Sequence, residues 1–147
     1  MTQVRNGADA LWRYLTPVFF AATIVLVFLA GLGVFRSDNE GQNKKFGDAF
    51  NPHAGLGFAL QGGALLLFIL ALIAWRDRRA VRMSALLFVL MFLQSVFANA
   101  GENHPWIGAF HPLNGFIIVG LSGSMAFGAW HRRAAMPRTA PTPPPPA

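Results

Sequence analysis

The stretch from Ala54 to Trp75, AGLGFALQGGALLLFILALIAW, runs for 22 residues without an Asp, Glu, Lys or Arg. A helix rises about 1.5 Å per residue and needs roughly 17–25 residues to cross about 30 Å of hydrocarbon. The segment therefore reads as a membrane span. Three others share its character, Val18–Phe35, Met83–Asn99 and Leu113–Trp130, the third span being the shortest. A soluble domain of 147 residues has too little other chain to wrap four such helices. The expected fold is all-α, an integral membrane four-helix bundle running up and down.

Composition agrees. Hydrophobic residues make up 54% of the chain and charged residues 12%, against about 25% charged in an ordinary soluble domain. The net charge is nevertheless +6. A basic chain suggests nucleic acid, but one this apolar has no polar face to present to it. With no Cys, the chain has no disulfide, thiolate-bound zinc, iron–sulfur cluster, covalent c-type haem or thiol-redox chemistry.

The charges fall on two sides. Arg5, Arg13, Arg76, Arg78, Arg79, Arg82, Arg132, Arg133 and Arg138 lie in the N-terminal segment, the second loop and the C-terminal tail. Only Arg36, Lys44 and Lys45 lie in the first loop, and none in the third. With Asp9 and Asp77 on the first side and Asp38, Glu40, Asp48 and Glu102 on the second, the sides carry +7 and −1. The positive-inside rule makes the first side cytoplasmic, with both termini there. The +6 is thus an orientation signal, and nucleic acid drops out as a partner.

Trp12, Trp75 and Trp130 are expected at the cytoplasmic edge and Trp106 at the outer edge, as an aromatic belt. The first span is long for a signal-peptide core and no small-x-small cleavage site follows it, so it reads as a retained anchor. Residues 1–133 then form the transmembrane domain. Residues 134–147, with the run Pro143–Pro146, form a disordered Pro-rich cytoplasmic tail. Phe50-Asn51-Pro52-His53-Ala54-Gly55 and Phe110-His111-Pro112-Leu113-Asn114-Gly115 share Phe-x-Pro-x-x-Gly, 60 residues apart. Each opens an even-numbered helix from the outer side, with Pro expected in the first turn.

Those two segments place His53 and His111 at similar depth near the outer boundary. In an up-down bundle the second and fourth helices are diagonal, which puts their axes roughly 11–14 Å apart when neighbours pack at about 8–10 Å. Two inward histidines across that gap suit one axial ligand on each face of a flat macrocycle, a bis-His b-type haem. Gly33, Gly57 and Gly115 lie at the same level, where small residues admit close approach of a helix or ligand. His53, Gly57 and Gln61 share a helix face, and Gln94 lies deep in the third apolar run. A zinc or copper site from His53, His104, His111 and Glu102 lacks compact ligand spacing. His104 is expected in an exposed loop and His131 at the headgroups.

The order Ala30-Gly31-Leu32-Gly33, His53, Gln94 and His111-Pro112-Leu113-Asn114-Gly115 resembles a family of small uncharacterised four-span bacterial membrane proteins, over roughly Trp12 to Trp130. More distantly it is similar to one four-helix half of haem A synthase. That resemblance implies paired histidine ligands, here His53 and His111, on the even-numbered helices. It departs in having one half rather than two, and Phe50 where that enzyme typically has a Glu three residues before its histidine.

The expected function is haem b binding for electron transfer or haem handling. The rivals are a cofactor-free subunit or accessory protein of a membrane complex or homo-oligomer, and a quinone site near Trp106, Gln94 and His111. No nucleophile, general base or phosphate loop points to independent catalysis.

Overall fold

The computed structural model describes residues 2–39 and 46–131. Those residues form α1 (Thr2–Asn39), α2 (Phe46–Ile73), α3 (Arg78–Gly101), the single turn α4 (Pro105–Gly108) and α5 (Phe110–His131), with no strand among them. The expected tail 134–147, together with Glu40, Lys44, Lys45, Arg132 and Arg133, lies outside the described residues.

The four long helices pack in a ring, α1 on α2 and α5, and α3 on α2 and α5. The diagonals are therefore α1/α3 and α2/α5. Each helix turns one narrow seam inward at spacings of four and three. Leu60, Ala64, Leu67 and Ala71 form it on α2, and Ala80, Ser84, Leu87 and Met91 on α3. This is the seam of helices crossing at a shallow angle, and its small residues let the backbones approach. The interior also holds Thr16, Thr23, Ser84 and Ser122, all but fully buried. Two of them satisfy their hydroxyls locally, Thr16 donating to the Trp12 carbonyl at 2.6 Å and Thr23 to that of Phe20 at 2.7 Å.

The outward face is apolar. Phe28, Phe58 and Phe116 are each about two-thirds exposed or more. Such a surface would be costly in water and is ordinary against lipid. Four helices are long and apolar enough to cross a membrane. The chain is a helical, multi-pass membrane protein.

Several helices outrun the apolar segments. α1 has 38 residues, about 57 Å of helix against about 30 Å of hydrocarbon. It therefore starts well before Val18, and Pro17 sits inside it. Pro112 occupies the first turn of α5 as expected. Pro52 does not open α2: the helix begins at Phe46, one and a half turns earlier. Having no N–H, Pro52 leaves the Asp48 carbonyl without its intrahelical donor just before His53.

Trp75, Trp106 and Trp130 are exposed, as belt residues should be. Trp12 is a correction, because it is 2% exposed. Its indole N–H donates to Ser84 Oγ at 3.2 Å, and the Arg76 guanidinium lies 4.2 Å from its ring centroid. Arg76 in turn pairs with Asp9, which also holds Arg13 at 2.7 Å. This cluster ties α1, the α2–α3 turn and α3 together at the end where α1 starts and α5 finishes. Trp75 closes α2 in the left-handed region, φ 50°, within a paired terminal motif in which Trp75 N–H meets the Leu72 carbonyl and Arg76 N–H that of Ala71. Glycine is the usual residue there. The side chain gains an Arg5 guanidinium 4.2 Å over its ring, which offsets part of the backbone cost.

Candidate functional site

At the opposite end, where α1 and α3 finish and α2 and α5 start, the α2/α5 diagonal is spanned by two imidazoles. The rings of His53 and His111 have centroids 6.0 Å apart and are tilted by 59°. Both are partly buried.

Each ring is held by a neighbouring helix. His53 Nδ1 lies 3.0 Å from the Leu26 carbonyl of α1, and His111 Nδ1 lies 3.1 Å from the Gln94 carbonyl of α3. A carbonyl oxygen only accepts, so both Nδ1 atoms carry the proton. In a neutral imidazole that leaves Nε2 as a lone pair. Fixing one nitrogen by a backbone bond so that the other can bind a metal is the usual arrangement at metal-bound histidines.

Gln94 does more than lend its carbonyl. Its Nε2 donates to the His111 carbonyl at 2.9 Å, so the two residues clasp each other across α3 and α5. Asn114, one turn after His111 and 5% exposed, donates from Nδ2 to Gln94 Oε1 at 2.6 Å and to the Leu90 carbonyl at 2.9 Å. A primary amide has two hydrogens, so both bonds can be made at once. Gly115 lies against this clasp, where a methyl group would stand 3.4 Å from Gln94 Nε2, at ordinary contact.

Two clefts flank the pair. One, of about 150 Å³, is lined chiefly by α1 and α5, with Ala30, Gly115 and Phe116 among its walls. The other, of about 250 Å³, lies against α2 and α3 and includes Gly57, Ser95 and Asn99. His53, His111, Leu26, Met91 and Gln94 line both, so the imidazoles stand where the clefts meet. Small-molecule sites run from about 300 to 1,000 Å³, which the two clefts reach only when taken together.

The remaining residues expected at the site fall as follows. Gln61 lines neither cleft; its Oε1 accepts from Ser95 at 2.9 Å, tying α2 to α3 beside the second one. Gly33 also lines neither. It sits under Phe50, whose ring would be 2.7 Å from a methyl group there. Trp106 and His104 are exposed and away from the clefts. His131 is at the far end, its Nδ1 on the Phe127 carbonyl at 3.0 Å. Asn114, Met91 and the Leu26 carbonyl are additions. The first two were readable, because Asn114 is three residues from His111 and Met91 three from Gln94, each on a shared helix face. A carbonyl acceptor on α1 leaves no mark in a sequence.

Among the described residues no three His, Cys, Asp or Glu side chains come together. A tetrahedral zinc centre needs about four protein ligands, or three and a water, and His104 and Glu102 are not gathered here.

The fold and site define a small polytopic helical membrane protein with an opposed histidine pair in its bundle. The chain belongs to a family described as Family of unknown function (DUF6220), which matches residues 27–101. The matched region contains His53 and Gln94 and ends before His111. No curated protein and no solved structure matches the chain.

Proposed function

We propose that the protein binds one b-type haem between His53 and His111, in the service of electron transfer or haem handling, with both termini on the cytoplasmic side of a bacterial inner membrane. The observation that carries this reading is the paired geometry: two rings 6.0 Å apart, each with Nδ1 committed to a backbone carbonyl. Two metal–imidazole bonds of about 2 Å, plus half a ring on each side, also put the centroids about 6 Å apart. A metal with only two protein ligands needs the rest supplied in advance, which a macrocycle does. The distant resemblance to a haem A synthase half points the same way.

Bound haem would supply a one-electron iron couple, with His53 and His111 the residues that would hold it and the apolar surroundings tuning its potential. The chain's own residues hold and orient. The Leu26 and Gln94 carbonyls fix the ring tautomers, the Gln94–Asn114 clasp fixes the start of α5, and Met91, Leu26 and Phe116 supply apolar walls. Quinone binding fits less well, because a quinone carbonyl needs a donor. Both imidazole N–H groups, and one hydrogen of the Gln94 amide, are already given to backbone carbonyls.

The test is the reduced-minus-oxidised absorption spectrum of protein purified from a haem-replete host. A sharp Soret band with resolved α and β bands is expected. Colourless protein would overturn the proposal and leave the cofactor-free subunit as the better reading.

A further inference from the structure

A third cavity, of about 570 Å³, opens at the end where α1 starts and α5 finishes. It is larger than either cleft and plays no part in holding the histidines. Met83 of α3 and Met125, Phe127 and Gly128 of α5 give it apolar walls, while Arg79 and His131 also line it. Arg79 is in the first turn of α3 and His131 ends α5, so the two basic side chains share its outer end. On α5 the lining runs from Ser124 to His131, about 10 Å along the axis. The cavity is therefore amphipathic, basic at one end and apolar along its length.

Among the described residues, Arg5, Arg13, Arg76, Arg78, Arg79 and Arg82 outnumber the carboxylates at this end. The described carboxylates at this end are Asp9 and Asp77. Asp9 is taken by Arg13 and Arg76, and Asp77 caps α3, accepting from Ala80 N–H at 2.9 Å. Arg79 and Arg82 are exposed.

We propose that this cavity binds a membrane phospholipid with an anionic headgroup, its phosphate at Arg79 and His131 and the upper part of one acyl chain along Met83, Met125 and Phe127. The basic end selects an anion and the apolar depth selects a chain. Together they specify an anionic amphiphile, which a helix bundle meets in its own bilayer, and basic pockets between spans are known to take such headgroups.

Native mass spectrometry of the full-length protein, with added phosphatidylglycerol or phosphatidylcholine, tests it. Wild type should retain phosphatidylglycerol over phosphatidylcholine. Arg79→Gln should lower phosphatidylglycerol occupancy about fivefold, the worth of one basic residue near a lipid surface, and leave phosphatidylcholine unchanged. Ser124→Phe fills the cavity without altering charge, and should lower occupancy by both lipids. Ser124 is exposed, and among the described residues its hydroxyl bonds its own helix, at the Leu121 carbonyl, so the bundle tolerates the change. Arg5→Gln removes a charge at the same end but outside the cavity, and should change nothing. Equal losses in Arg5→Gln and Arg79→Gln would reduce the effect to diffuse surface charge and overturn the proposal. So would undiminished occupancy in Ser124→Phe, equal retention of both lipids by wild type, or displacement of phosphatidylglycerol by millimolar inorganic phosphate.

Discussion

The bundle's two diagonals are bridged at opposite ends and in opposite ways. Across α1/α3, near the termini, a donor meets an acceptor: Trp12 N–H reaches Ser84 Oγ, and Arg76 lies over the indole with Asp9 beneath its charge. Across α2/α5, at the other end, His53 and His111 approach to 6.0 Å and make no bond to each other. Their protons go to helices beside them, so each ring keeps an acceptor with nothing opposite to donate. The first diagonal is finished by the chain itself. On the proposed reading, the second diagonal leaves its two Nε2 atoms to an added ligand.

That contrast is breakable from either side. The largest effect should come from His53→Ala or His111→Ala, each expected to abolish the low-spin spectrum while leaving the far-UV helical signal intact. If both variants keep the wild-type spectrum, the second diagonal holds nothing. Asp9→Asn should be next. It strands Arg76, whose side chain is 7% exposed, and should cost about 2–3 kcal/mol, below the roughly 3–5 of a fully buried pair because Asp9 itself is 29% exposed. The readout is thermal unfolding in detergent, with no spectral shift, since the cluster lies at the other end of the bundle.

Gln94→Leu touches the clasp rather than a ligand. It removes the bonds to the His111 carbonyl and from Asn114 but leaves the carbonyl that fixes the ring, so about 1–2 kcal/mol and a shifted redox potential are expected. An unmoved potential would make Gln94 a purely structural residue. Trp12→Phe should be mildest, near 1 kcal/mol for one lost hydrogen bond, measured by unfolding. A spectral change there would mean that the two diagonals are coupled.

Much of the fold could be read from charge-free length alone. Ala54–Trp75 declares its span because a continuous apolar run has no other stable use in a chain this small. The diagonal placement of His53 and His111 followed from an up-down order. What could not be read is instructive. The start of α1 was hidden because Arg5, Asp9 and Arg13 look like a solvated leader, yet they sit on a helix whose Ala8 and Trp12 face inward. Trp12 reads as a belt residue because tryptophan at a membrane boundary usually lies there; its burial depends on Ser84, distant in sequence. Pro52 hid six residues of helix before it. Gly33 was readable as a small residue but not as a seat for Phe50, because a glycine does not say what approaches it.

The central claim is that the second diagonal holds one haem. Haem-to-protein stoichiometry, measured on wild type and on the His53→Ala/His111→Ala double variant from the same haem-replete host, tests it most directly. The account predicts one haem b per chain in the wild type and none in the double variant. Haem-free wild type, or equal haem in both, would contradict it.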